Sequence, residues 1–178
     1  MVRGRVVGIF WVLGLFLALT WSAYGEQDTK SGGTPAVVRL DFQVNVQTVL
    51  QLRIGTAGPT IDTITFTVSS FPGTPVSGSP ASVTVRVRGQ IPATETMTLS
   101  ADSSGGIVGP ATIPFDEISC DATDDFSDYT FDGTGSQTLD TFGSSGTYDG
   151  TYSFTYDNDT PYPAGTYNGQ VTYTLSSA

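Results

Sequence analysis

Val38-Arg39-Leu40-Asp41-Phe42-Gln43-Val44-Asn45-Val46-Gln47-Thr48-Val49-Leu50-Gln51-Leu52-Arg53-Ile54 alternates apolar and polar residues and breaks step only at Thr48 and Val49. Successive side chains of a β-strand point to opposite sides, so this stretch carries one apolar and one polar face. It is far longer than the usual strand of about 5–6 residues. It therefore reads either as one long strand or as two strands in phase, bent near 47–49.

The same period recurs toward the C-terminus between turn signals. Ile64, Phe66 and Val68 alternate with threonines and stop at Phe71-Pro72-Gly73-Thr74-Pro75. Val83, Val85 and Val87 alternate with Thr84, Arg86 and Arg88, and Met97, Leu99 and Ala101 with Thr98 and Ser100. Ile113 and Phe115 form a short piece, and 137–142 a weaker one. Tyr148, Tyr152, Phe154 and Tyr156 share a parity, as do Tyr167, Val171, Tyr173 and Leu175. From residue 26 onward there are 26 Thr, 17 Ser, 17 Gly and 10 Pro, a composition suited to pleated surfaces and tight turns and hostile to helices. No window keeps a 3.6 period, and without helices to cross over, a parallel α/β fold is excluded. The expectation is an all-β, antiparallel, immunoglobulin-like β-sandwich of about eight or nine strands. Its core would be lined by Phe42, Val44, Leu50, Leu52, Phe66, Val85, Val87, Leu99, Phe154, Val171, Tyr173 and Leu175.

Working back toward the N-terminus, 26–35 is polar and Gly-containing, an expected flexible arm before a sandwich domain over 36–178. Residues 1–25 read as a secretory signal: Arg3 and Arg5, an apolar run over 6–19, then Ser22-Ala23-Tyr24-Gly25 with small residues three and one before the cut. The apolar run falls short of the ~20 residues that span a bilayer as a helix. Cleavage before Glu26 and a secreted, extracellular or cell-surface location are expected, with no membrane insertion afterwards.

The whole chain carries a net charge of −10, and losing Arg3 and Arg5 with the leader takes it to −12. No basic residue follows Arg88. Such a balance argues against nucleic-acid or anionic-membrane partners, while its asymmetry suits head-to-tail contact between copies. The chain has no His and one Cys, so a Ser-His-Asp or Cys-His nucleophilic site and a His-ligated metal are excluded. Cys120 cannot pair within the chain, which leaves a small buried thiol or an intermolecular bridge.

Three features could carry chemistry. Asp121, Asp124, Asp125 and Asp128 are candidate calcium ligands in the densest acidic stretch, although the EF-hand spacing is missing and a solvated loop that keeps the protein soluble is the simpler reading. Tyr148 and Tyr162 are candidate glycan contacts from the tyrosine-rich end, where a core lining is the competing reading. Asn158-Asp159-Thr160 matches the N-glycosylation sequon. No glutamate sits in a recognisable glycosidase motif, so no enzyme is expected, and no cofactor beyond that candidate calcium.

The stretch Tyr162-Pro163-Ala164-Gly165-Thr166-Tyr167-Asn168-Gly169-Gln170-Val171-Thr172-Tyr173-Thr174-Leu175 resembles the terminal strand of secreted bacterial pilin-like proteins. These are the spore coat protein U family and the fimbrial subunits of chaperone–usher pili, in which a Pro/Ala-Gly-x-Tyr turn leads into an alternating last strand. The polar tail followed by a long alternating strand is similar too. Those subunits usually carry a disulfide near the start of the domain, which a single Cys120 cannot supply. The resemblance implies a structural subunit that self-assembles with neighbouring copies or related subunits into a pilus, filament or coat. Val38, Leu40, Phe42, Val44 and Val46 are then the expected assembly strand, donated to a neighbour's sheet edge. A monomeric carbohydrate-binding or adhesive sandwich is the alternative.

Overall fold

The computed structural model describes residues 27–70 and 72–178; the expected leader and its cleavage point lie outside the described residues. The chain divides into two compact units, one ending at Asn45 and the other spanning Val46–Ala178.

The second unit holds β1 (Val49–Ile54), β2 (Val76–Ser77), β3 (Val83–Gln90), β4 (Met97–Asp102), β5 (Ile107–Val108) and β6 (Thr112–Ile113). A single 3-10 turn, Phe115–Glu117, leads into β7 (Ile118–Ala122), followed by β8 (Tyr129–Thr130), β9 (Gln137–Phe142), β10 (Gly146–Tyr156) and β11 (Thr172–Ser177). All ladders are antiparallel. The larger sheet runs β1-β3-β10-β7-β8 with β2 added to β10, the smaller runs β11-β4-β9, and β5-β6 is a separate hairpin.

Period-two patterning explains which side of each strand is inside. In β3, Val83, Val85 and Val87 are buried while Thr84, Arg86 and Arg88 face out. In β4, Met97, Leu99 and Ala101 are buried; in β10, Tyr152, Phe154 and Tyr156. Each fully buried side chain of this size is worth about 1.5–3 kcal/mol. The two sheets share this core, the arrangement of a β-sandwich. Aromatic rings join them: Phe142 of β9 lies 4.3 Å from Tyr148 of β10, and the Tyr173 ring of β11 lies 6.4 Å from that of Tyr152. The hydroxyls of Tyr129 and Tyr173 meet across the sheets at 3.0 Å. Gly150 in β10 is required by packing, because a Cβ there would lie 2.4 Å from the Thr123 carbonyl oxygen and 2.7 Å from the Phe126 ring.

The all-β, antiparallel expectation holds, with corrections of detail. Eleven strands occur among the described residues against the eight or nine expected, and four of them, β2, β5, β6 and β8, are only two residues long. The run around Ile64, Phe66 and Val68 is reduced to one bridge, Thr65 to Ser79. Val85, Val87, Leu99 and Phe154 are buried as expected, and Leu50, Leu52, Phe66, Val171, Tyr173 and Leu175 are half-buried against them. Phe42 and Val44 are not core residues: they are 86% and 82% exposed. Alternation gives a segment an apolar face, but burial needs a sheet to receive it, and no ladder among the described residues includes 38–47. The second compact unit begins at Val46, against the expected start of the sandwich domain at residue 36.

Candidate assembly site

Among the described residues of the first unit, local hydrogen bonds and one ion pair occur, but no strand ladder. Asp28 accepts the Val37 amide N–H at 3.2 Å and pairs with Lys30 at 3.4 Å, around a turn through Gly32 and Gly33, both at positive φ. Beyond that turn Gln43 donates weakly to Asn45, two residues on and of the same parity. Val38, Leu40 and Val46 are 59%, 75% and 64% exposed, so with Phe42 and Val44 all five members of the expected assembly strand stand in solvent. Soluble proteins rarely leave contiguous apolar surface uncovered unless it meets a partner.

The two sheets of the sandwich end in the edge strands β1 and β8 and in β11 and β9, and two of these edges, β1 and β11, lie near one another. β1 pairs only with β3, and β11 only with β4. The amide–carbonyl pairs Ala178–Thr96, bonded in both directions, fix the phase of the β11–β4 ladder. Hydrogen-bonded and non-bonded pairs alternate along an antiparallel ladder, so the backbone groups of Tyr173, Leu175 and Ser177 turn to the free edge. The Gly55 N–H to Thr84 carbonyl bond sets β1 in the same way, and Leu50, Leu52 and Ile54 present their backbone groups outward. On both strands the residues with free backbone groups are those whose side chains are half-buried. β1 and β11 approach one another, so these edges flank the same side of the sandwich. Strand order is invisible in sequence, which is why these residues read only as core.

The other sequence-predicted residues are placed as follows. Asp128 accepts the Ala122 N–H at 2.6 Å, Asp125 accepts the Asp149 N–H at 2.8 Å, and Asp124, at φ 58°, accepts from the Thr123 hydroxyl at 3.0 Å. Asp121 projects from β7 opposite Ser153. Three of the four carboxylates are thus used in shaping the β7–β8 loop, and no group of three side chains able to hold a metal occurs among the described residues.

Tyr148 packs on Phe142 and bonds Ser144, while Tyr162 packs edge-on to Tyr167 and donates to Glu117. The bond to Glu117, helped by burial, pushes the Tyr162 hydroxyl up to about 12. The structure does not bring these two tyrosines together as a stacking platform; each is half-buried against its own aromatic neighbour. Cys120 is a buried free thiol, pushed up to about 12 by burial. It is therefore protonated at neutral pH and screened from oxidants. The sequon Asn158 is buried, and its side-chain nitrogen donates to the Thr74 carbonyl at 3.1 Å.

An open depression of about 340 Å³ is lined by Val46, Gln47, Thr48, Gln90, Ile91 and Pro92. None of these side chains is an acid or a base, so the depression offers shape with amide and hydroxyl contacts. No helix among the described residues is long and apolar enough to cross a membrane. Comparison with protein families, with curated proteins and with solved structures found no match.

Proposed function

We propose that this chain is a secreted, non-enzymatic structural subunit of a surface filament or coat, in which the segment 38–46 of one copy adds as a strand to the open β1/β11 side of another. The observation that carries this reading is the row of alternating apolar side chains, 59–86% exposed from Val38 to Val46, on backbone outside every ladder among the described residues. An apolar, period-two segment without a sheet and a sheet edge with free backbone groups are complementary. Main-chain bonds would supply affinity, and alternate side-chain contacts along Leu50, Leu52, Tyr173 and Leu175 would supply register. Gross burial of about 1.5–3 kcal/mol per large apolar side chain is ample drive for a five-residue row, before the cost of ordering the arm. Donor and acceptor are different surfaces, so the contact is heterologous and propagates into a filament when the rotation does not close.

Sedimentation of the purified chain over a wide concentration range tests the proposal. Concentration-dependent polymers are expected, and Phe42→Asp with Val44→Asp should abolish them without lowering the melting temperature. A wild-type chain that stays monomeric at every concentration overturns the reading.

A further inference from the structure

On the outer face of the larger sheet, β1, β3 and β10 bring charged residues into register. Arg53 stands directly opposite Arg86, and Arg86 opposite Asp149; one step along, Arg88 lies between Gln51 and Thr147. Three of the five cationic residues downstream of Arg5 therefore share one patch. Asp149 is the one carboxylate in these rows, and it is ion-paired with Arg86. Like charges set directly opposite each other on a sheet are destabilising. The Arg53 Nε is enclosed without a hydrogen-bond partner, and Arg88 is exposed. A net positive patch of this kind is unexpected on so acidic a chain unless something anionic meets it.

The opposite margin of that face is the reverse. Asp149 and Ser153 share a parity on β10, and Asp121 lies opposite Ser153 on β7, so Asp121 projects on the same side as the arginines. Asp124, Asp125 and Asp128 follow it, all exposed. The face thus runs from basic at β1/β3 to acidic at β7/β8.

Resting on the assembly reading above, we infer that the Arg53–Arg86–Arg88 patch docks the acidic 121–128 margin of a second copy. Copies of a strongly acidic chain repel one another, and this patch is where acidic residues of a neighbour find opposite charge. The two margins are distinct surfaces, so the contact repeats in one direction, as strand addition does. Complementary charge contributes mostly to encounter rate, register and rejection of wrong pairings, and it is screened by salt.

The test uses the purified full chain in sedimentation velocity, with thermal melts to show that each variant is folded. Raising salt from about 0.05 M to about 0.5 M should weaken association of the wild type. Arg53→Glu with Arg88→Glu should weaken it by ten-fold or more, and so should Asp121→Lys with Asp124→Lys. Mixing the two double variants should recover association that neither shows alone. Wild-type association by the arginine variant, or no recovery on mixing, overturns the inference. So does an arginine variant that assembles normally but no longer binds an anionic polysaccharide such as alginate, which would give the patch to a glycan. The arm variants Phe42→Asp and Val44→Asp separate the two ideas. If they abolish assembly while the arginine variant assembles normally, strand addition stands and charge docking falls. If they assemble normally while the arginine variant does not, the reverse holds, and a wild type that never associates sinks both.

Discussion

Residues 38–46 and strand β3 carry the same pattern and meet opposite fates. Val83, Val85 and Val87 in β3 are at most 8% exposed, whereas Val38, Leu40, Phe42, Val44 and Val46 are at least 59% exposed. Neither hydrophobicity nor period separates them. β3 is flanked on both sides, by β1 and by β10, so its backbone groups are bonded and its valines close over the core. The arm has no such flanks among the described residues. Alternation states that a segment can be one layer of a sheet; it does not state whose sheet.

The sharpest way to break this contrast is truncation on each side of it. Leu99→Ala in β4 should cost about 2–5 kcal/mol, because Leu99 is fully buried and a cavity would remain. Phe42→Ala should stay within about 0.5 kcal/mol in a monomeric state, as surface substitutions do. Chemical denaturation checks both, and equal losses would show that the arm belongs to its own core.

A smaller effect is expected at Gly150. Gly150→Ala forces the Thr123 backbone and the Phe126 ring to move, an overpacking cost of about 1–3 kcal/mol. Asn45→Ala in the arm should leave the melting temperature unchanged. Smaller again, and of opposite sign, is Tyr152→Phe. The Tyr152 hydroxyl is buried without a partner, and burial raises its pKa. Removing it should stabilise the sandwich by about 1 kcal/mol, read as a higher melting temperature.

The gentlest test is acid. The Arg86 guanidinium holds the Asp149 carboxyl below its ordinary 3.8, and Ser104 does the same for Asp102 through a hydroxyl and a backbone bond. A depressed folded-state pKa gives stability that is present above 3.8 and lost as pH falls below it. Burial raises the Asp140 carboxyl, so its contribution has the opposite sense: present at low pH and lost as pH rises through the raised value. Melting temperatures followed downward from about pH 5 should fall below pH 3.8, and less steeply in Asp149→Asn. An identical profile in that variant would remove the Arg86–Asp149 pair from the account.

Some strands were easy to read and others were hidden, for physical reasons. β3, β4 and β10 each place three or more apolar residues at alternate positions, and β11 places Tyr173 and Leu175 in step with Val171 just before it, enough to show against their polar neighbours. β7 buries Ile118 and Cys120 within an acidic stretch, so its two inward residues were lost among carboxylates that looked like loop. β2, β5, β6 and β8 are two residues long, shorter than any period can reveal. Ile64, Phe66 and Val68 alternate well yet gain only the Thr65–Ser79 bridge, because pairing depends on a neighbour and not on pattern.

The segment 38–46 was legible as a candidate assembly strand from its residues alone; that it joins no ladder among the described residues was not. The alternation is interrupted at Thr48 and Val49 without changing parity, and strand pairing begins at Val49. Sequence by itself determined the class of the fold, the inward parity of its long strands, the absence of histidine chemistry and the acidic balance. Those properties follow from side-chain type and a local period of two. Which strands end as edges, where the backbone groups of Leu52 and Leu175 point, and the meeting of Arg53 with Arg86 and Asp149 were decided only by the tertiary structure. Each depends on hydrogen bonds between residues some 30 to more than 60 positions apart, and no local pattern encodes the order in which strands come together.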